Sequence, residues 1–194
     1  DDYSGYKALF AANTDGVACV ELGCFAHARR KFYELHAANQ NPLAEEVLRR
    51  IAELYAIESD GKAMSIEERQ ALRLRESLPR LTELHRFLMD HRIKAAPGGA
   101  WAKALDYSLK RWDALARYAE TGNLPIDNNP VEQTIRPVAI GKKNWLFAGS
   151  ERAGKRAAVI QSLIGTAKLN GIDPAAWMRD TLEKLPLWPN KRID

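Results

Sequence analysis

Residues 74–88 decide the fold class of this chain, and they read Leu-Arg-Glu-Ser-Leu-Pro-Arg-Leu-Thr-Glu-Leu-His-Arg-Phe-Leu. Leucine or histidine recurs there at alternating spacings of four and three, which is the period of a helix that buries one stripe of side chains. Pro79 lies inside the run and predicts a kink or a new helix start at that point. The stretch therefore predicts a long, partly interrupted helix in the middle of the chain.

Helical patterns continue on both sides of this stretch. Before it, residues 43–55 keep a helical period, and Ser65 with Glu68 forms a capping-box pattern that starts the helix. After it, the turn Pro97-Gly98-Gly99 leads into a third helix that runs from Trp101 to Ala116 on one apolar stripe. Two such stripes joined by a short turn pack antiparallel.

The two ends of the chain predict further helices and a little strand. An apolar run at Val17–Leu22, bounded by glycines, predicts one buried strand, and Lys143–Ala148 predicts a second. Pro137 should end the short helix that begins at Pro130. The predicted end helices are Gly5–Ala12, Phe25–Ala38, Glu151–Asn170 and one opened by Asp173-Pro174. The fold class is therefore mainly α with one or two short strands.

Composition excludes several classes of protein. The chain has 194 residues, of which 46% are hydrophobic and 28% charged, a balance that suits one globular domain or a domain with an insertion. No run of 18 apolar residues occurs, so we expect no membrane span. Two cysteines cannot form a disulfide framework, and a reducing cytoplasm is the expected location.

Positive charge is concentrated near the C-terminal third. The net charge is +4, yet residues 136–156 hold six basic residues against Glu151 alone, while residues 43–120 are almost balanced. Lys and Arg that contact phosphates would give salt-dependent, sequence-tolerant DNA binding. A solvated helix face explains the same charges equally well. The candidate DNA-binding residues are Arg136, Lys142, Lys143, Arg152, Lys155 and Arg156.

Cys19, Cys24 and His27 raise the question of a zinc site, with His36 as the nearest fourth ligand. Thiolate and imidazole are the ligands that zinc prefers. The spacing spans a strand-to-helix corner and lacks a clear fourth ligand, whereas a small free cysteine is commonly buried as a hydrophobic residue. We therefore favour a structural role for these side chains.

Residues 127–132, Asp-Asn-Asn-Pro-Val-Glu, allow two interpretations. In the first, Asn129 caps a helix, Pro130 is its first residue and Glu132 completes a capping box. In the second, a carboxylate fixed in the first helical turn beside a basic stretch is a ligand for a divalent metal that faces DNA. Spacing alone favours the first.

Four segments together resemble the insertion sequence sixty-six family of bacterial transposases. These segments are residues 1–6 (Asp-Asp-Tyr-Ser-Gly-Tyr), 23–32 (Gly-Cys-Phe-Ala-His-Ala-Arg-Arg-Lys-Phe), 126–141 and 143–150 (Lys-Asn-Trp-Leu-Phe-Ala-Gly-Ser). The ending at residues 167–174 is also similar to the close of that family. The resemblance covers the whole chain, and its motifs are long and ordered.

The resemblance implies a DDE transposase with a ribonuclease-H-like catalytic core that binds Mg²⁺ or Mn²⁺ through two aspartates and a glutamate. By motif position Asp1 matches the second aspartate and Glu132 the glutamate, while Asp2 is a less favoured ligand. The implied organisation is a partial α/β core at residues 1–38, a helical insertion at 39–122, and core helices with the glutamate motif at 123–194. The implied location is bacterial and nucleoid-associated.

The first aspartate of the family precedes Asp1 and has no counterpart in this sequence. We therefore expect the C-terminal portion of a transposase, inactive alone because its metal site is incomplete. The encoding gene should show, upstream of Asp1, an apolar strand that ends in Asp. Two alternatives stay open: a non-catalytic DNA-binding or assembly module, and a ribonuclease-H-like nuclease unrelated to transposition.

The expected partner is double-stranded DNA, both transposon ends and target. Arg29, Arg30 and Lys31 are a second set of candidate DNA contacts, after the cluster at residues 136–156. Missing core strands would expose apolar surface and a strand edge, which is a known route to self-pairing. We therefore also expect a homodimer.

Overall fold

The computed structural model describes residues 19–145 and 147–189, and the chain divides into two units, Asp1–Asn129 and Pro130–Asp194. The described residues of the first unit form α1 (Phe25–Asn39), α2 (Pro42–Asp60), α3 (Ile66–Leu72), α4 (Leu78–Lys94), α5 (Ala100–Leu109) and α6 (Trp112–Ala116). Those of the second unit, together with Asn129, form α7 (Asn129–Trp145), α8 (Glu151–Leu169) and α9 (Pro174–Lys184). Short 3₁₀ turns follow α6 and α9, at Arg117–Glu120 and Leu185–Leu187. The mainly α prediction is confirmed.

Side-chain caps begin the helices where the sequence predicts them. The Ser65 hydroxyl accepts the Glu68 N–H at 3.2 Å, and the Glu68 carboxylate accepts the Ser65 N–H at 2.9 Å, which completes the predicted capping box of α3. The Asp173 carboxylate accepts the Ala175 N–H at 2.7 Å at the start of α9. Both caps satisfy backbone donors that a helix leaves unpaired at its first turn.

A π-helical segment, Arg73–Ser77, separates α3 from α4, and Pro79 lies in the first turn of α4. The backbone stays helical from Ile66 to Lys94, and the irregularity in this region is the π-helical segment before Pro79. The wider turn changes the phase of the buried stripe, so the side chains of Arg73 and Ser77 are buried while Leu74 and Leu78 stay 47% and 43% exposed. The prediction that these two leucines belong to the buried stripe is wrong.

One hydrophobic core joins α1, α2, α4, α5 and α6 of the first unit. Helix α1 packs on α2 and α5, and α4 packs antiparallel to α5 across the predicted turn at residues 97–99. The Phe25 and Tyr118 rings meet edge to face, with centroids 6.0 Å apart. The largest buried apolar side chains of this core are Phe25, Phe32, Val47, Ile51, Leu54, Leu81, Leu84, Leu88, Leu105, Leu115 and Tyr118.

Neither predicted strand is present in the described residues. Residues 19–22 of the Val17–Leu22 run are irregular, and its first two residues, like Gly5–Ala12, lie outside the described part of the chain. The strand predicted at Lys143–Ala148 is wrong because α7 continues as helix to Trp145. Pro137 does not end that helix; it removes one backbone hydrogen bond, and the turns on both sides remain helical.

Two helices differ from the sequence-based prediction. One differs in its bounds and the other in which of its side chains are buried. The helix predicted from Trp101 to Ala116 is broken by a turn at Lys110 and Arg111 into α5 and α6. In α8, only Ala167 of the predicted inward positions is buried, and Ile160 is 49% exposed. A helical period therefore predicts α8 itself but not how much of its apolar face is covered.

Candidate active site

The segment Ile126–Asn129 is held by hydrogen bonds that converge on one buried carboxylate. Asp127, only 9% exposed, accepts the Tyr55 hydroxyl at 2.8 Å, the Asn129 backbone N–H at 3.0 Å and the Asn129 side-chain amide at 2.7 Å. Three donors saturate most of the accepting capacity of a carboxylate. Burial of this group is therefore compensated, and the carboxylate is fixed in one orientation.

Two helices of the first unit anchor the same segment. The Asn128 N–H donates to the buried thiol sulfur of Cys24 at 3.3 Å, and the Phe25 N–H donates to the Ile126 carbonyl at 3.2 Å, both at the start of α1. Tyr55 approaches from α2, 72 residues earlier in the chain than Asp127. Burial, reinforced by the hydrogen bond to Asp127, raises the pKa of Tyr55 well above its ordinary value. The phenol therefore stays a donor throughout the physiological range.

Glu132 lies in the first turn of α7, three residues after Asn129, and is exposed to solvent. An acidic group at this point is favoured by the partial positive charge of the helix N-terminus. The Asn129 side-chain amide donates to Asp127, and its carbonyl oxygen keeps its capacity to accept, so the Asn129 cap stays a prediction. At the beginning of α7 the Asp127 carboxylate accepts the Asn129 backbone N–H.

Carboxylate oxygens are the ligands that Mg²⁺ and Mn²⁺ prefer, and two acidic residues occur in this stretch. Glu132 fits the role of a ligand, since it is an exposed carboxylate at a helix start. Asp127 does not fit, because both its oxygens already accept hydrogen bonds in a buried setting. Within residues 19–145 and 147–189, no three His, Cys, Asp or Glu side chains lie close enough together to hold a metal ion, whether zinc or magnesium. Asp1 and Asp2 lie outside those residues.

The basic residues of the second unit occupy two helices. Arg136 is exposed on α7 one turn after Glu132, and positions 132 and 136 fall on one face of the helix by its period. Arg152, Lys155 and Arg156 are exposed in the first turns of α8, where Lys155 pairs with Glu151 at 2.7 Å. The remaining two candidates, Lys142 and Lys143, lie within α7. The predicted cluster therefore lies on helices, not on a loop and strand.

The second basic set lies on α1 and is exposed. Arg30 pairs with Glu34 at 2.8 Å, and the Arg29 guanidinium lies 5.8 Å from the centroid of the Tyr33 ring. The Lys31 ammonium lies 5.7 Å from the Tyr107 ring, which also carries the Arg111 guanidinium at 4.5 Å. Tyr107 thus lies between a cation of α1 and one of the turn after α5, a juxtaposition that the sequence alone does not predict.

Comparison with known families identifies the chain. The family model described as "Transposase IS66 family" matches residues 1–156, and the model "IS66 C-terminal element" matches residues 162–194. The chain belongs to the IS66 transposase family. This confirms the family that the sequence resembles, and with it a transposase-related role and an insertion-sequence origin.

Curated relatives of this IS66 chain come from Sinorhizobium fredii (strain NBRC 101917 / NGR234). Uncharacterized protein y4hP is 37% identical over 205 residues, covering 100% of this chain, and uncharacterized protein y4jD is 36% identical over 187 residues, covering 95%. Uncharacterized protein y4qI is 35% identical over 198 residues. The chain spans 37% of the length of each of these relatives. No solved structure matches it.

No described helix of the IS66 chain is both long and apolar enough to cross a membrane. The structure also shows hydrogen bonds that the sequence did not predict, from Tyr55 to Asp127 and from the Asn128 N–H to Cys24. Tyr55 looks like an ordinary apolar position of α2, and its partner lies far away in sequence. The one usable signal was Asp127 itself, a charged residue directly after the apolar Ile126.

Proposed function

We propose that this chain is the C-terminal portion of a DDE transposase whose full-length form cleaves DNA and transfers strands in a metal-dependent reaction. The observation that carries the proposal is the exposed Glu132 carboxylate in the first turn of α7, directly after a segment fixed by buried hydrogen bonds, in a chain of the IS66 family. The proposed fold of the whole catalytic unit is ribonuclease-H-like, with residues 39–122 as a helical insertion. The protein would act in the bacterial cytoplasm, at the nucleoid.

In this proposal Glu132 supplies one oxygen ligand to Mg²⁺ or Mn²⁺, and Asp1 with an aspartate upstream of it supplies the others. Such ions, when bound, activate the attacking oxygen and stabilise the leaving oxygen of a phosphodiester. In the reaction, this chain would hold the Glu132 carboxylate in place and would contact the phosphate backbone through its Lys and Arg side chains. Exposed Arg136, one turn from Glu132, is suited to that second task.

The experiment is cleavage of a labelled transposon-end duplex by the full-length protein, with Mg²⁺ or with EDTA. A nick that leaves a 3′-hydroxyl at the transposon end and requires the metal supports the proposal. Binding to the ends without cleavage under any divalent ion favours the alternative, a non-catalytic DNA-binding or assembly module. Cleavage of unrelated duplexes with equal efficiency favours a nuclease unrelated to transposition.

DNA binding by the 194-residue chain should depend on salt through its C-terminal basic cluster. Reversal of Lys142, Lys143 and Arg156 to Glu should flatten the slope of log K against log salt by about three units, because each lost phosphate contact removes about one. The measurement is fluorescence anisotropy with a random-sequence duplex over a salt series. Equal reversal of the exposed Lys62, Arg86 and Lys94 is the matched control and should leave the slope unchanged. An unaltered slope in the first variant would move the contacts elsewhere, with Arg29, Arg30 and Lys31 next.

We also propose that the chain forms a homodimer. Many large apolar side chains of α7, α8 and α9 are exposed, among them Val131, Ile135, Val159, Leu169 and Leu182. Exposed apolar surface on this scale marks sites of protein association. Light scattering at micromolar concentration should give twice the 21.8 kDa chain mass. A mass of one chain over the whole concentration range would contradict the proposal.

A further inference from the structure

Tyr107, near the end of α5, has two cations close to its ring. The Lys31 ammonium of α1 lies 5.7 Å from the ring centroid, and the guanidinium of Arg111, in the turn after α5, lies 4.5 Å from it. The Arg111 Nη1 also donates to the Tyr107 carbonyl oxygen at 3.3 Å. Two contacts therefore hold this guanidinium, and the packing of α1 on α5 brings a second positive charge to the same ring.

Two further lysines extend the positive surface along α5. Lys103 and Lys110 are exposed and lie one turn before and one turn after Tyr107, so the helical period places the three residues on one side of α5. Lys31 is exposed as well. We call Lys31, Lys103, Tyr107, Lys110 and Arg111 the α1–α5 basic face, and all five belong to the first unit of the chain.

The acidic residues near this face offset little of its charge. Helices α1 and α5 contain only two acidic residues, Glu34 and Asp106. Glu34 pairs with Arg30 at 2.8 Å, and Asp106 pairs with Arg92 of α4 at 2.6 Å. Asp113 of α6 offsets one of the four cations, so the α1–α5 basic face keeps a net positive charge. Cations held this close together repel one another, and a polyanion relieves that repulsion.

We propose, on the basis of the function proposed above, that the α1–α5 basic face binds the phosphate backbone of double-stranded DNA. Lys and Arg that contact phosphates add affinity without reading the base sequence. Arg111 suits a phosphate because a planar guanidinium can donate two parallel hydrogen bonds, and its contacts with Tyr107 reduce the side-chain entropy lost on binding. Because α5 lies within residues 39–122, the inference gives the helical insertion a direct part in DNA binding.

A duplex fits this face better than a single strand does. Proteins bind single strands largely through aromatic rings on which the bases stack. Tyr107 is half-buried and two cations already lie close to its ring, so the ring holds cations in place and is not a platform for a base. An acidic protein segment would use the same positive charges, and the experiment below separates it from DNA.

The first measurement is lysine footprinting of the 194-residue chain with and without a random-sequence duplex. An acetylating reagent labels exposed amines, and mass spectrometry gives the labelled fraction of each lysine. Bound duplex should lower the labelling of Lys31, Lys103 and Lys110 by about threefold or more, because their ammonium groups then lie against phosphates. Lys62, exposed in the turn after α2, is the internal control and should be labelled equally in both samples.

The second measurement is the salt dependence of duplex binding, followed by fluorescence anisotropy. A triple variant with Lys31→Gln, Lys103→Gln and Lys110→Gln should flatten the slope of log K against log salt by about three units, one for each lost phosphate contact. All three side chains are exposed, so the variant should fold like the wild type.

Two further variants separate this surface from a general effect of charge. A control with Lys62→Gln, Arg75→Gln and Arg86→Gln removes the same charge from exposed positions outside α1 and α5, and should leave the slope unchanged. Arg111→Lys keeps the positive charge but loses the planar guanidinium. It should therefore keep the slope and weaken binding by roughly tenfold.

Equal labelling of Lys31, Lys103 and Lys110 with and without duplex would overturn the inference, and so would a slope in the triple variant that matches the control. The inference is also overturned if the triple variant binds duplex like the control and loses affinity only for polyglutamate, because the face then serves an acidic protein segment. Neither measurement needs a divalent ion or cleavage. Failure of the proposed function therefore has its own signature: the full-length protein shows no metal-dependent cleavage, while the lysine footprint remains.

Discussion

Glu132→Gln in the full-length protein is expected to reduce cleavage of transposon-end DNA by about 10³-fold or more, with folding and DNA binding retained. The change removes the negative charge that holds a divalent ion and keeps the length and shape of the side chain. A metal ion contributes several kcal/mol of transition-state stabilisation, and each ~1.4 kcal/mol is a factor of ten in rate. The measurement is single-turnover cleavage with Mg²⁺, wild type beside variant.

Glu68→Gln is the matched control, because Glu68 occupies the third position of α3 in an observed capping box. Gln serves as well as Glu in that motif, so this control should cleave like the wild type. Asp1→Asn should be as inactive as Glu132→Gln, and Asp2→Asn should be milder. A Glu132→Gln protein that cleaves near the wild-type rate would leave Glu132 as a helix-start residue without a catalytic role.

Arg73→Met is expected to destabilise the 194-residue chain by about 3–5 kcal/mol, the range typical of breaking a buried ion pair from one side. Arg73 is 2% exposed and binds Glu58 through two nitrogens, Nε at 2.8 Å and Nη2 at 2.5 Å. Its Nη1 also donates to the carbonyls of Tyr118 at 3.0 Å and Thr121 at 2.5 Å. Removal of the guanidinium leaves the Glu58 carboxylate and two carbonyls without this donor.

Urea denaturation compares the free energy of unfolding of each variant. Arg75→Met, two residues away, is the control: its side chain is 66% exposed, so a change within about 0.5 kcal/mol is expected. Arg73→Lys should recover little, because an ammonium cannot form the two parallel bonds. Adding Glu58→Leu to Arg73→Met should restore part of the loss, since no unpaired charge then remains. A loss below about 1 kcal/mol for Arg73→Met alone would contradict this account of the core.

The burial of Arg73 is a feature that the apolar pattern of the sequence does not predict. Apolar spacing predicts α1, α2, α8 and the α4–α5 hairpin, and local cap chemistry predicts the starts at Ser65 and Asp173. The pattern could not place Arg73 in the core, because the π-helical segment Arg73–Ser77 changes the helical phase and the Glu58 partner of Arg73 lies on another helix. Long-range pairing of charged groups leaves no periodic signal.

The candidate site likewise has a part that the sequence predicts and a part that it does not. The stretch at residues 127–132 is conspicuous in the sequence, and its resemblance to a transposase motif singles out Glu132. The support for that stretch comes from Tyr55 and Cys24, which lie 72 and 104 residues away from their partners. The strand prediction at Lys143–Ala148 fails because a short apolar run around Trp145 has no period that separates strand from helix.

Iron-directed cleavage of the polypeptide tests most directly whether Glu132 holds a divalent ion. Fe²⁺ takes the place of Mg²⁺ in full-length protein bound to end DNA, and ascorbate with peroxide then generates radicals that cut the backbone beside the bound metal. We predict a cut within residues 127–136 that excess Mg²⁺ suppresses and Glu132→Gln removes. The absence of a cut there, or an equal cut in Glu132→Gln, would contradict the assignment of Glu132 as a metal ligand.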